Sequence, residues 1–172
     1  KRVVVNSPLQ LRDGRYEIDF ADFERKAASP RCRAFVLSNP HNPVGRVYTE
    51  EELRRVGEIC RRHHVFVIAD EIHSDLIFPG HQHIVFASLG QNYAENCAVC
   101  HAPSKTFNLA GLSFSCIMIP NEERRKRFDQ MFARYCRAHP NFFAPVAAKA
   151  AWDHGEAWLD LCLAYIQKND QF

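Results

Sequence analysis

Apolar and polar residues follow one another in blocks along this chain, and the blocks have the lengths of strands and helices. Ala34-Phe35-Val36-Leu37 and Val65-Phe66-Val67-Ile68-Ala69 are unbroken apolar runs, the pattern of strands buried on both faces. Between them Leu53, Val56, Ile59 and Cys60 recur at helical spacing, in a helix running to about Arg62. Thr49 followed by Glu52 is a capping-box pattern, and Arg61 and Arg62 suit the negative end of that helix. Strand, helix and strand in this span predict a βαβ crossover with two parallel strands. Cys97 to His101 predicts a third strand.

The flanks are read in the same way. Val3 to Asn6 predicts a strand ended by Ser7-Pro8, and Asp13-Gly14 a turn before Tyr16-Glu17-Ile18. Asp19 or Asp22 can cap a short helix reaching about Ala28, closed by Ser29-Pro30. Past Pro120, Asn121 to Arg137 predicts a strongly basic helix, with further helices over Asn141 to His154 and Glu156 to Lys168. The apolar face of the last (Trp158, Leu161, Cys162, Tyr165, Ile166) needs a partner. The fold class is therefore α/β, with a three-layer core around a mostly parallel sheet.

Composition changes this picture little. A length of 172 residues fits one domain, and 47% apolar with 24% charged residues is a globular balance. A net charge of +2 is too small to point to nucleic acid or an acidic membrane as the main partner. No apolar run is long enough to cross a bilayer, and no signal-peptide pattern opens the chain. Seven cysteines scattered through apolar runs suit reduced thiols, so a cytoplasmic location is expected. Cys97-x-x-Cys100 is not read as a redox pair, because residues three apart in a strand face opposite sides. His81 and His83, with His73 nearby, are read as a solvated loop rather than a zinc site, and Arg124-Arg125-Lys126-Arg127 as one charged helix face.

Candidate chemistry lies at the strand ends. In a parallel α/β sheet, ligands bind beyond the carboxyl ends of the strands. Here those ends carry Asn42, Asp70 and Lys105. Each has a plainer role open to it: Asn42 can start the loop before Pro43, Asp70 can cap a turn, and Lys105 can be a surface lysine. Together an amide, a carboxylate and an amine suit a pyridine aldehyde. The amine would bond the aldehyde, the carboxylate would keep the ring nitrogen protonated, and the amide would donate to the ring oxygen. Small and apolar neighbours around Lys105 predict a poorly solvated amine, which would make it a better nucleophile.

Asn39-Pro40-His41-Asn42-Pro43-Val44-Gly45, Asp70-Glu71-Ile72-His73 and Ser104-Lys105-Thr106-Phe107-Asn108-Leu109-Ala110-Gly111 resemble fold-type I pyridoxal phosphate enzymes of the class I/II aminotransferase superfamily. The nearest likeness is to the cystathionine β-lyase (C–S lyase) branch, and it runs over nearly the whole chain. The resemblance implies pyridoxal 5'-phosphate as cofactor, Lys105 as its Schiff-base lysine, Asp70 as the partner of the pyridine nitrogen and Asn42 as ligand of the ring oxygen. His73 stands where transaminases usually have tyrosine, and there it resembles the lyases. Residues 1–172 then look like the central part of the cofactor-binding large domain, an internal fragment, with about 141–172 leading toward a smaller domain.

The departures bear on the phosphate. Many relatives have arginine eight residues after the lysine, where this chain has Ser113, and the serine often found before the lysine is Ala102. Ser104 is left as the local phosphate candidate. His64 stands where relatives often use glycine to leave the helix, and a left-handed histidine is expected there. The upstream phosphate loop and the downstream arginine for the substrate carboxylate are not among these residues. The implied activity is β-elimination on a small-molecule amino acid such as cystathionine or cysteine, giving thiol, pyruvate and ammonia, in a homodimer. An aminotransferase is the alternative of the same class, and a cofactor domain without turnover the alternative of another.

Overall fold

A computed structural model describes residues 3–136 and 141–170. It opens with an antiparallel hairpin of β1 (Gln10–Arg12) and β2 (Arg15–Glu17). Asp13-Gly14 turns it, with φ of 48° and 78°, the positive values that such a two-residue turn needs. The strand expected over Val3–Asn6 does not form: Val3, Val4 and Val5 are 64%, 88% and 66% exposed. β-branched residues favour a strand only where an edge to pair with and a surface to pack on exist, and the described residues supply neither there. Of the two candidate caps for α1 (Phe20–Ala27), Asp19 is the one used, accepting from the Asp22 N–H at 3.0 Å.

The central sheet contains β3 (Ala34–Ser38), β4 (Phe66–Asp70), β5 (Cys97–His101) and β6 (Cys116–Met118), side by side in that order. The first three are parallel and β6 is antiparallel to β5. Between β3 and β4 runs α2 (Glu50–Arg62), the predicted crossover helix. Its capping box is complete: Thr49 Oγ1 accepts from the Glu52 N–H at 3.2 Å, and the Glu52 carboxylate accepts from the Thr49 N–H at 2.8 Å. His64 leaves the helix at φ 55°, the expected left-handed residue. The remaining α-helices among the described residues are α3 (Gln91–Ala94), α4 (Pro103–Thr106), α5 (Glu122–Tyr135), α6 (Phe143–His154) and α7 (Glu156–Asp170). Arg137, the expected end of the basic helix, lies outside the described residues.

One core joins α1, α2 and the sheet. Leu53, Val56, Ile59 and Cys60 share it with Leu37, Val67, Ala69, Cys97 and Val99. Each large apolar side chain buried here is worth roughly 1.5–3 kcal/mol. Gly57 sits in the middle of α2 because a Cβ there would lie 2.4 Å from the Tyr93 ring, which packs against it.

The second face of the sheet is more open. Val36, in register with Ile68, is 63% exposed, so β3 is not buried on both faces as its apolar run suggested. β3 is the edge strand of the described sheet, and α1 and α2 cover only one side of it. On the other side Arg124 of α5 lies 4.8 Å from the Phe66 ring. Within the rest of the basic run, Lys126 pairs with Glu122 at 2.6 Å and Arg127 with Glu123 at 2.7 Å along the helix, while Arg125 donates to the Ile119 carbonyl at 2.7 Å. On α7, Leu161 and Tyr165 of the predicted apolar face are largely exposed. No helix among the described residues is long and apolar enough to cross a membrane.

Candidate active site

Ser38, Asp70 and Cys100 lie abreast in the register of three parallel strands. Each strand end leads within a few residues to one predicted site residue. Asp70 is itself the last residue of β4, Asn42 lies in the loop after β3, and Lys105 lies in α4, entered straight after β5. The ladder continues past the strands. The Asn39 N–H donates to the Asp70 carbonyl at 3.0 Å, and the Glu71 N–H to the Cys100 carbonyl at 2.9 Å. The three loops thus leave the sheet already tied to one another.

The Asn42 loop is pinned on both sides. Buried Asn39 accepts from the Tyr48 N–H at 3.0 Å, and His41 pairs with Arg46 through a backbone bond of 2.8 Å. Gly45 closes the bend at φ 70° and donates to the His41 carbonyl at 2.8 Å. Ser38 Oγ accepts from the Asn42 N–H at 3.3 Å, leaving the Asn42 side chain exposed. Burial, and then the Arg46 guanidinium, push the His41 imidazole below its ordinary pKa, and its buried Nδ1 has no partner among the described residues. Arg46 is held in turn by both oxygens of Glu52, at 2.9 and 2.7 Å.

Asp70 is half-buried, and its Oδ1 accepts from the Ile72 N–H at 3.3 Å. Its charge is felt across the strand: burial first, then the carboxylates of Asp70 and Glu71, raise the Cys100 thiol pKa. Cys97 faces the core and Cys100 the other side, both as free thiols. His73 and Ser104 are half-buried, and neither side chain hydrogen-bonds a described residue. Ser113 is exposed, with a left-handed backbone at φ 54°.

Lys105 corrects the expectation of a desolvated amine, because its residue is exposed and makes no ion pair with a described residue. α4 has only four residues, and two of them, Pro103 and Thr106, turn inward and are buried. That geometry turns Lys105 outward. Its small and apolar neighbours pack beneath it rather than around it.

Sequence reasoning missed Glu71. The Glu71 carboxylate is buried beside Asp70 and accepts from His83 Nε2 at 2.9 Å and from the Phe86 N–H at 2.8 Å. It anchors the polar loop back onto the end of β4, and His83, read as solvated, is its partner with a side chain only 8% exposed. The one available signal was a second acidic residue directly at a strand end. Glu71→Ala strands two buried donors, so thermal unfolding of the full-length protein is expected to show a loss of about 2–4 kcal/mol. Glu71→Gln, which keeps an acceptor, should lose less; equal losses would mean the hydrogen bonds are not what matters.

The model for aminotransferase class I and II matches residues 2–172. The chain belongs to this family. Over 168 residues it is 46% identical to the cystathionine beta-lyase PatB of Bacillus subtilis, covering 98% of the chain and 43% of that relative. Cystalysin from Treponema denticola, which contains a pyridoxal 5'-phosphate cofactor, superposes with a TM-score of 0.95 at 35% identity, over 99% of the chain and 43% of cystalysin. A pyridoxal phosphate-bound C–S lyase from Staphylococcus hominis gives 0.88 at 39% identity, over 96% of the chain and 41% of the lyase. The chain therefore spans about two fifths of the length of these relatives. The mixed, mostly parallel sheet of this family member is part of their fold.

Proposed function

We propose that the full-length protein is a pyridoxal phosphate-dependent C–S β-lyase acting on cystathionine- or cysteine-type amino acids. The observation that carries this is the amine, carboxylate and amide at the ends of three adjacent parallel strands, in a chain so similar to cystathionine beta-lyases. The donor set fits the group. The polar atoms of Lys105 and the Asn42 side chain are uncommitted among the described residues, and Asp70 offers a carboxylate at the end of the central strand. For the phosphate, Ser104 is the hydroxyl beside Lys105.

Pyridoxal phosphate, when bound, supplies an aldehyde and a ring that accepts electrons. Lys105 would hold that aldehyde through Nζ, and the same amine would serve as the base for the proton on the substrate Cα. The Asp70 carboxylate holds a proton on the pyridine nitrogen. Asn42 would donate its amide N–H to the ring oxygen, and His73 lies three residues past Asp70, in the turn that follows β4. Elimination releases thiol, and hydrolysis leaves pyruvate and ammonia.

In this reading residues 1–172 are the central part of the cofactor domain, with 141–172 leading toward a second domain. The protein works in the cytoplasm as a homodimer, a location in keeping with its seven free thiols. One assay tests the reaction. Full-length protein given cystathionine should form pyruvate and thiol with no keto acid added. Turnover that waits for a keto-acid acceptor would make it a transaminase instead.

A further inference from the structure

Lys105 has no side-chain partner among the described residues, so only the backbone of α4 decides where its amine can reach. α4 is too short to hold itself by its own hydrogen bonds. Its buried anchor is the next residue, Thr106, 1% exposed, whose hydroxyl donates to Asp75 Oδ2 at 2.9 Å. Asp75 ends the turn that follows Asp70 and carries His73. One carboxylate oxygen thus bridges the segment holding Asp70 and the segment holding Lys105.

The same oxygen faces a second contact. His101, the last residue of β5, has Nε2 at 3.7 Å from Asp75 Oδ2. Its Nδ1 lies 3.3 Å from the Glu71 carbonyl and 3.2 Å from Ser74 Oγ. Trp152 of α6 stacks on the imidazole, centroids 5.7 Å apart and planes 20° apart, which fixes the ring against rotation. The turn after β4 is therefore clamped to both the entry and the exit of the Lys105 segment.

We propose that Asp75 is a positioning residue that acts through Thr106 to set the reach of Lys105 toward a ring bound over Asp70. The proposal rests on the cofactor reading above. Neither Asp75 nor Thr106 touches the reacting atoms in it. A carboxylate and a hydroxyl at this place convert the exposed flexibility of one lysine into a defined approach, and approach geometry is worth large factors in rate.

The test uses full-length protein stripped of cofactor, mixed with pyridoxal phosphate and quenched with borohydride at timed intervals. The rate at which cofactor is fixed on Lys105 is read by peptide mass. Thr106→Val keeps the shape and removes the donor, and it is expected to slow fixing by roughly tenfold. Thr106→Ser keeps the hydroxyl and should restore the rate. In steady state the valine variant should lose kcat with little change in KM. Asp75→Asn keeps an acceptor but removes the charge facing His101, and it should slow fixing by a smaller factor; it decides the matter if the valine variant does not fold. Unaltered fixing in a folded Thr106→Val protein, or serine no better than valine, overturns the proposal alone. If the unaltered protein fixes no cofactor on Lys105, the cofactor reading falls and the proposal falls with it.

Discussion

Full-length Lys105→Ala protein is expected to fix no cofactor on reduction with borohydride and to lose roughly 10³-fold or more of its turnover. Both losses would come from one atom, because in the proposed reaction Nζ is both the bond to the cofactor aldehyde and the base that moves the Cα proton. The visible absorbance that pyridoxal phosphate gives with the unaltered protein should vanish as well. Since Lys105 is exposed and takes no part in the core, the variant should unfold at the same temperature as the parent. Cofactor fixed instead on Lys126 or Lys149, with Lys105 untouched, would mean that the central segment has been misread. Those two lysines are already engaged, Lys126 with Glu122 and Lys149 with Asp153, whereas Lys105 has no such partner among the described residues.

Asp70→Asn should be the next most damaging change, lowering turnover by about 10²-fold or more while cofactor is still fixed on Lys105. An amide cannot hold a proton on the pyridine nitrogen, and an unprotonated ring is a poor electron sink. The structure offers a control that needs no cofactor. Asp70 is one of the groups that hold the Cys100 thiol up, after burial. Removing its charge should let that thiol ionise at lower pH, so Cys100 should react faster with a thiol reagent at a given pH. An unchanged Cys100 reactivity profile would show that the Asp70 charge does not reach across the strands as the geometry implies. Full turnover in Asp70→Asn would remove the carboxylate from the proposed site.

Much of this architecture was legible in the sequence because it is set over short distances. The capping box at Thr49 and Glu52, the apolar stripe of α2, the turn at Asp13-Gly14 and the three parallel strands follow from hydrogen bonding and side-chain period within a few residues. The order of Asn42, Asp70 and Lys105 at strand ends was legible for the same reason, since each stands where an apolar run stops.

What the tertiary structure alone decided depends on which distant surfaces meet. Val3 to Val5 have strand chemistry but no edge to pair with among the described residues, and Val36 belongs to a buried-looking run on a strand whose second face the described residues leave open. Lys105 has apolar neighbours in sequence yet points to water, because the inward positions of a four-residue helix go to Pro103 and Thr106. The Glu71–His83 pair and the Asp75–Thr106 bond join residues 12 and 31 positions apart. No local pattern marks such partners, because a buried carboxylate is recognised only by the donor that folding brings to it.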